Sequence, residues 1–167
     1  TSSKKLYRTE RSLIGDNIWF KAEYFSGVTL SGKQDNWQWK GGIFSTTLAQ
    51  EFDNTFDTSY FTLASLGYDF AEFFESDKAL LRLDYVYQDE PDADDYANYD
   101  IGTAKHENII SLSFQYDNGK KHIHTDLAYA EQFNGNDIYA LQIMPFYDLN
   151  DTFQIAGSYT HIESDDA

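Results

Sequence analysis

Between residues 78 and 132, apolar and polar positions alternate with a period of two in three successive runs. In KALLRLDYVYQ, Ala79, Leu81, Leu83, Tyr85 and Tyr87 alternate with Leu80, Arg82, Asp84, Val86 and Gln88. In the next run Ile110, Leu112, Phe114 and Tyr116 alternate with Ser111, Ser113 and Gln115. After Asn118-Gly119, Ile123, Thr125, Leu127 and Tyr129 oppose His122, His124, Asp126 and Ala128. A period of two places each set on one face of a strand. Each run is about ten residues long, near the ~9–11 that a tilted strand needs to cross a bilayer. One face is apolar with tyrosines near its ends, and the other is polar and partly charged. This pattern predicts strands of an outer-membrane β-barrel.

The same rhythm extends along the chain. Residues 1–16 show no alternation and read as a loop or short helix. From Asn17 a single phase puts Ile18, Phe20, Ala22, Tyr24, Ser26, Val28 and Leu30 on one face. Trp19, Lys21, Glu23, Phe25, Gly27 and Thr29 take the other. Residues 32–35 read as a turn by composition. Residues 36–46 form a strand with Trp37, Trp39, Gly41 and Ile43 against Gln38, Lys40, Gly42 and Phe44. A strand over 59–70 has apolar residues in both phases, so its faces are not assignable. Further strands are predicted over 138–147, with Pro145 near its end where a missing N–H is tolerated, and over 153–162.

Connections near 47–58 and 89–103 are the longest, and they share parity with the short loop 133–136. Membrane barrels have short turns at one end and longer loops at the other, so these three are expected outside. The expected fold class is all-β: an antiparallel transmembrane β-barrel with about eight strands, residues 1–167 forming one segment of it. The opening TSSKKLYRTE has no apolar signal region, and the polar end HIESDDA lacks a closing aromatic. Both features predict an interior part of a longer barrel rather than a complete small one.

Mean hydropathy is low, at −0.57, and no run approaches the ~18–20 apolar residues of a membrane helix. Neither observation excludes a barrel, because half of each strand faces water. Aromatic residues make up 17% of the chain and recur at strand ends, which suits interfacial girdles. Net charge is −16, so nothing here would neutralise the phosphates of a nucleic acid. Acidic loops account for that charge as solubilising surface, or as an attractor of cations at a pore mouth. Cysteine is absent, which removes disulfides and thiolate metal sites from consideration.

Several phrases carry a resemblance. Ser2, Ser3, Leu6, Tyr7, Glu10, Arg11, Ser12 and Leu13 in TSSKKLYRTERSL, followed by YFSGVTLSG, WQWKGGIFS, YFTLASLGYDF and ALLRLDYVYQDEPD, resemble successive segments of the phosphate-selective porin O and P family. The resemblance implies a homotrimeric porin of about sixteen strands in the outer membrane of a Gram-negative bacterium, embedded in its lipid. It implies passive diffusion of small hydrophilic solutes, including anions such as phosphate. A phosphate pore needs a dense run of lumenal Arg and Lys, whereas the inward faces read here offer only scattered Lys21, Lys40 and Arg82.

The pore-lining candidates are therefore Lys21, Lys40, Arg82, Asp84, His122, His124 and Asp126. Arg8, Glu10 and Arg11 are candidates for a loop or constriction, with a structural Glu10–Arg11 salt bridge the simpler role. His122 and His124, two apart on a strand, share a direction that suits metal binding, although a hydrated face is the simpler reading. Asp92, Asp94 and Asp95 lack the Gly and distal Glu of a Ca²⁺ loop. No metal or other cofactor is expected. Ser158, His124 and Glu131 supply a nominal Ser–His–acid trio, but there is no Gly-x-Ser-x-Gly elbow, and no enzyme activity is expected. The alternative from another class is a secreted, soluble β-sandwich that binds carbohydrate through its aromatic residues.

Overall fold

The computed structural model of the chain describes residues 27–45, 60–89, 106–133 and 135–165. Among these residues the alternating runs form nine strands in one antiparallel sheet. In chain order these are β1 (Gly27–Gln34), β2 (Trp37–Ser45), β3 (Tyr60–Asp69), β4 (Lys78–Gln88), β5 (His106–Asn118), β6 (Lys121–Gln132), β7 (Asp137–Asp148), β8 (Gln154–Ala156) and β9 (Tyr159–Ser164). Through β8 each strand pairs with its sequence neighbour, and β9 also pairs with β7. One four-residue helix, α1 (Ala71–Phe74), lies in the β3–β4 connection. Among the described residues the sheet is open, with β1 and β9 unpaired to each other, and no second sheet packs on it.

Directly opposed residues in antiparallel strands point to the same side, so the register carries one phase across the whole sheet. Trp39, Leu66, Leu83, Leu112, Leu127, Leu141 and His161 fall in one transverse row. They belong to an apolar face. Every exposed large apolar residue within a strand lies on that face, Ile162 excepted. The opposite face is more buried and carries most of the charged side chains of the strands. Leu83 is 44% exposed and its neighbour Asp84 is 8% exposed, the reverse of the burial of a water-soluble sheet.

Two boundaries differ from the sequence expectation, and one connection carries a short helix. The turn placed at 32–35 is only Asp35-Asn36: β1 continues through Lys33 and Gln34, which pair with Gln38 and Trp37. The connection 70–77 folds into α1 because Asp69 Oδ1 accepts the N–H groups of Ala71 and Ala79, at 3.1 and 3.0 Å, and pins both of its ends. The last predicted strand is split into β8 and β9 without a change of register, since Phe146↔Ala156 and Ile143↔Tyr159 fall on one ladder. The break lies opposite Pro145, which has no N–H for the ladder; only the reverse bond, Gly157 N–H to Pro145 O at 3.0 Å, is made.

The buried apolar cluster sits on the polar face at the end where the long connections leave. Phe61, Val86, Ile109, Ala128, Ala130 and Ala140 are its buried members, with Phe44, Leu63 and Ile138 packed against them. Phe44 and Phe61 stack with centroids 4.7 Å apart. This cluster resolves the ambiguity of residues 59–70. Phe61, Leu63, Ser65 and Gly67 share the polar face with Lys40 and Arg82, and Tyr60, Thr62, Ala64, Leu66 and Tyr68 take the apolar one.

Candidate functional site

Beyond the apolar cluster, toward the short turns, the same face carries rows of polar side chains, with Leu80, Met144 and Phe146 buried among them. One transverse row consists of Lys33, Gln38, Gly67, Arg82, Ser113, Asp126, Gln142 and Thr160, each opposite the next. The adjoining row brings Ser31, Lys40, Ser65, Asp84 and Ser111 together. Strand pairing builds both rows, because residues far apart in sequence land side by side only through register. Arg82 and Asp84 are two apart on β4 and therefore share the side; Arg82 Nε donates to Asp84 Oδ2 at 2.8 Å.

Nearer the short turns a hydrogen-bonded chain crosses from β4 to β8. Lys78 Nζ donates to Gln115 Oε1 at 2.6 Å, and Gln115 Nε2 donates to Asp117 Oδ2 at 3.3 Å. The His122 ring lies between two carboxylates, with Nδ1 2.8 Å from Asp117 Oδ1 and Nε2 3.0 Å from Asp148 Oδ2. Asp148 Oδ1 accepts from Gln154 Nε2 at 2.7 Å. His124 points along the same face but packs edge-on against Phe146, ring centroids 5.1 Å apart, and stays 3.9 Å from Asp117.

His122, His124 and Asp126 thus share a face, as their spacing predicts, but the two imidazoles turn to different neighbours. Among the described residues no group of three or more His, Cys, Asp or Glu is arranged to hold a metal ion. The nominal Ser–His–acid trio is not assembled: Ser158 Oγ accepts from Gln142 Nε2 at 3.3 Å, Glu131 accepts from Asn108 Nδ2 at 3.0 Å, and Glu131 and His124 lie on opposite faces. Lys40, Arg82, Asp84, His122, His124 and Asp126 all sit on the polar face. Lys21, Arg8, Glu10, Arg11 and the acidic loop 89–103 beyond its first residue lie outside the described residues.

Sequence reasoning missed Lys33, Lys78, Asp117, Asp148 and Gln142 on this face. Lys78 and Asp117 were legible, since they continue the phases of Leu80-Arg82 and Ser113-Gln115. Lys33 was hidden by the turn-like composition around it.

The apolar face has its own order. At the long-connection end Tyr85 Oη donates to Asn108 Oδ1 at 2.7 Å and Tyr129 Oη to Asp137 Oδ1 at 3.1 Å, while Tyr129 and Tyr139 rings lie 5.1 Å apart. At the short-turn end Trp37, Tyr68, Phe70, Phe74 and Tyr116 touch in series, with centroid separations from 4.6 to 6.5 Å. Leucine and isoleucine make up most of the band between, with Ala64, Phe114 and Thr125 among them. Lys121, Glu131, Asp137 and Glu163 carry formal charge on this face, all near strand ends. Comparison with protein-family models, with curated proteins and with solved structures found no match.

Proposed function

We propose that this chain is part of the wall of a membrane-spanning β-barrel, with its polar face lining a water-filled channel for passive diffusion of small hydrophilic solutes. The observation that carries the reading is the sorting of the two faces. A water-exposed leucine forgoes ~1.5–3 kcal/mol of burial, and monomeric soluble proteins rarely expose contiguous apolar patches beyond ~300–600 Å². A row of five leucines across β3–β7, from Leu66 to Leu141, continued by Trp39 on β2 and bounded by two aromatic rows, is a surface suited to hydrocarbon. Tyr139 and Tyr147 bound the band on β7; at ~3.3 Å per residue they lie ~26 Å apart along the strand. With the usual tilt this covers ~20 Å of bilayer, close to the ~25 Å apolar belt of barrels. No described helix is long and apolar enough to cross a membrane, and a barrel needs none.

The phrases that resemble the phosphate-selective porin family point the same way, toward an outer-membrane, trimeric channel. The polar face departs from a phosphate path, because its few bases are interleaved with acids and Arg82 is already paired. The expected solute class is therefore small and hydrophilic without strong anion preference. The test is reconstitution of the full protein carrying this chain into planar bilayers. Stepwise conductance is expected; a protein that purifies without detergent and gives no conductance would sink the channel reading.

A further inference from the structure

We propose that a groove on the apolar face beside α1 holds an acyl chain of a bilayer phospholipid with a primary-amine headgroup, and that Glu72 is the partner of its ammonium. The proposal rests on the membrane-wall reading and adds a lipid site to it. The groove is an open depression of about 770 Å³. Its floor is Leu66, Leu81, Leu83 and Leu112, contributed by three adjacent strands. Trp37, Tyr68 and Phe70 form an aromatic flank in which successive rings meet edge-on at 4.8 and 4.6 Å. Phe73, on α1 at the same end, is 80% exposed. The depression exists because Asp69 fixes α1 against the end of the sheet, so that the helix borders the strands instead of covering them.

Charge selects the occupant. The polar end of the groove holds Asn36, Asp69 and Glu72 and no base, and residues 70–77 add Glu75 and Asp77 without a Lys or Arg. Asp69 is committed to two backbone N–H groups and Asp77 to that of Gly119, at 2.7 Å. Glu72 is exposed, and its carboxylate makes no hydrogen bond or ion pair among the described residues. A headgroup bearing only phosphate meets carboxylates here and is repelled. An ammonium finds an unengaged carboxylate at the interface, with the Asn36 amide available to the adjoining phosphate. An aliphatic floor continuous with the hydrocarbon-facing band then receives the chain.

The experiment is native mass spectrometry of the full protein in mild detergent, supplied with equal phosphatidylethanolamine and phosphatidylglycerol, with bilayer conductance recorded on the same preparations. The wild-type protein is expected to retain phosphatidylethanolamine over phosphatidylglycerol. Glu72→Gln should lower that preference roughly threefold, the scale of one partly screened ion pair. Leu66→Trp should fill the groove and abolish retention. Both variants should conduct normally, since neither residue reaches the polar face. Equal retention of the two lipids, or an unchanged preference in Glu72→Gln, overturns the lipid site while conductance persists. Loss of conductance in the wild-type protein overturns the channel reading instead.

Discussion

Arg82, Leu83 and Asp84 compress the case for a membrane wall into three consecutive residues. Arg82 and Asp84 point to the polar face and bond at 2.8 Å, while Leu83 points away and stays 44% exposed. If the apolar face meets lipid, water reaches Asp84 and not Leu83. The natural lack of cysteine leaves no background for thiol labelling. In membranes, Asp84→Cys should react with a small water-soluble thiol reagent and Leu83→Cys should be shielded; greater reactivity at Leu83→Cys would reverse the faces. Alternation along β4 already separates these residues before any fold is known. Shared facing leaves Asp84 either paired with Arg82 or hydrated; residues two apart on a strand lie ~6.6 Å apart, and the path taken by the Arg82 side chain closes that gap.

Elements owe their limits to turn chemistry. The β5–β6 hairpin turns on Gly119-Lys120, between the paired Asn118 and Lys121, and Gly119 has φ +55°, with open space for 4 Å around the point where a side chain would begin. Space is therefore not the constraint at this turn; backbone conformation is. Gly119→Val should lower stability by ~1–2 kcal/mol, the usual cost of a left-handed φ in an L-residue, and less if the turn relaxes. The urea midpoint of the detergent-solubilised protein measures it, and a midpoint equal to wild type would show that this hairpin does not need its positive φ. The β1–β2 turn solves the same problem with Asp35 at φ 52°, a residue that visits this region more readily than most. The use of Asp where Gly is the usual signal is why composition alone started the turn too early and hid Lys33. The broken last strand follows from a single missing donor at Pro145, a cost that the sequence displays but does not locate until register sets Gly157 opposite.

On the scale of the whole molecule, what matters is the balance of charge across the polar face. Lys33, Lys40, Lys78 and Arg82 share it with Asp84, Asp117, Asp126 and Asp148. The bases are interleaved with acids and do not form a continuous path, and the chain as a whole carries −16. A cationic ladder that concentrates phosphate needs consecutive unpaired bases. In bilayers, millimolar phosphate should therefore leave the chloride current of the proposed channel unblocked, and a concentration-dependent block would show that unpaired bases do line its path.

Strand periodicity together with the short connections determined that the described strands are antiparallel β, which residues share a face on most of them, and that Lys40, Arg82, Asp84, His122, His124 and Asp126 look the same way. It succeeds because a strand's side-chain direction is fixed by a period of two, whatever the partner. Tertiary structure alone decided how the strands register, and with it the unbroken polar row from Lys33 to Thr160 and the His122 bridge between Asp117 and Asp148. It also decided the facing of β3. One half of the polar face is lined by the cluster of Phe61, Val86 and Ile109, so both phases of that strand are apolar there. Hydrophobicity then no longer separates the two sides, and only the ladder with β2 and β4 does.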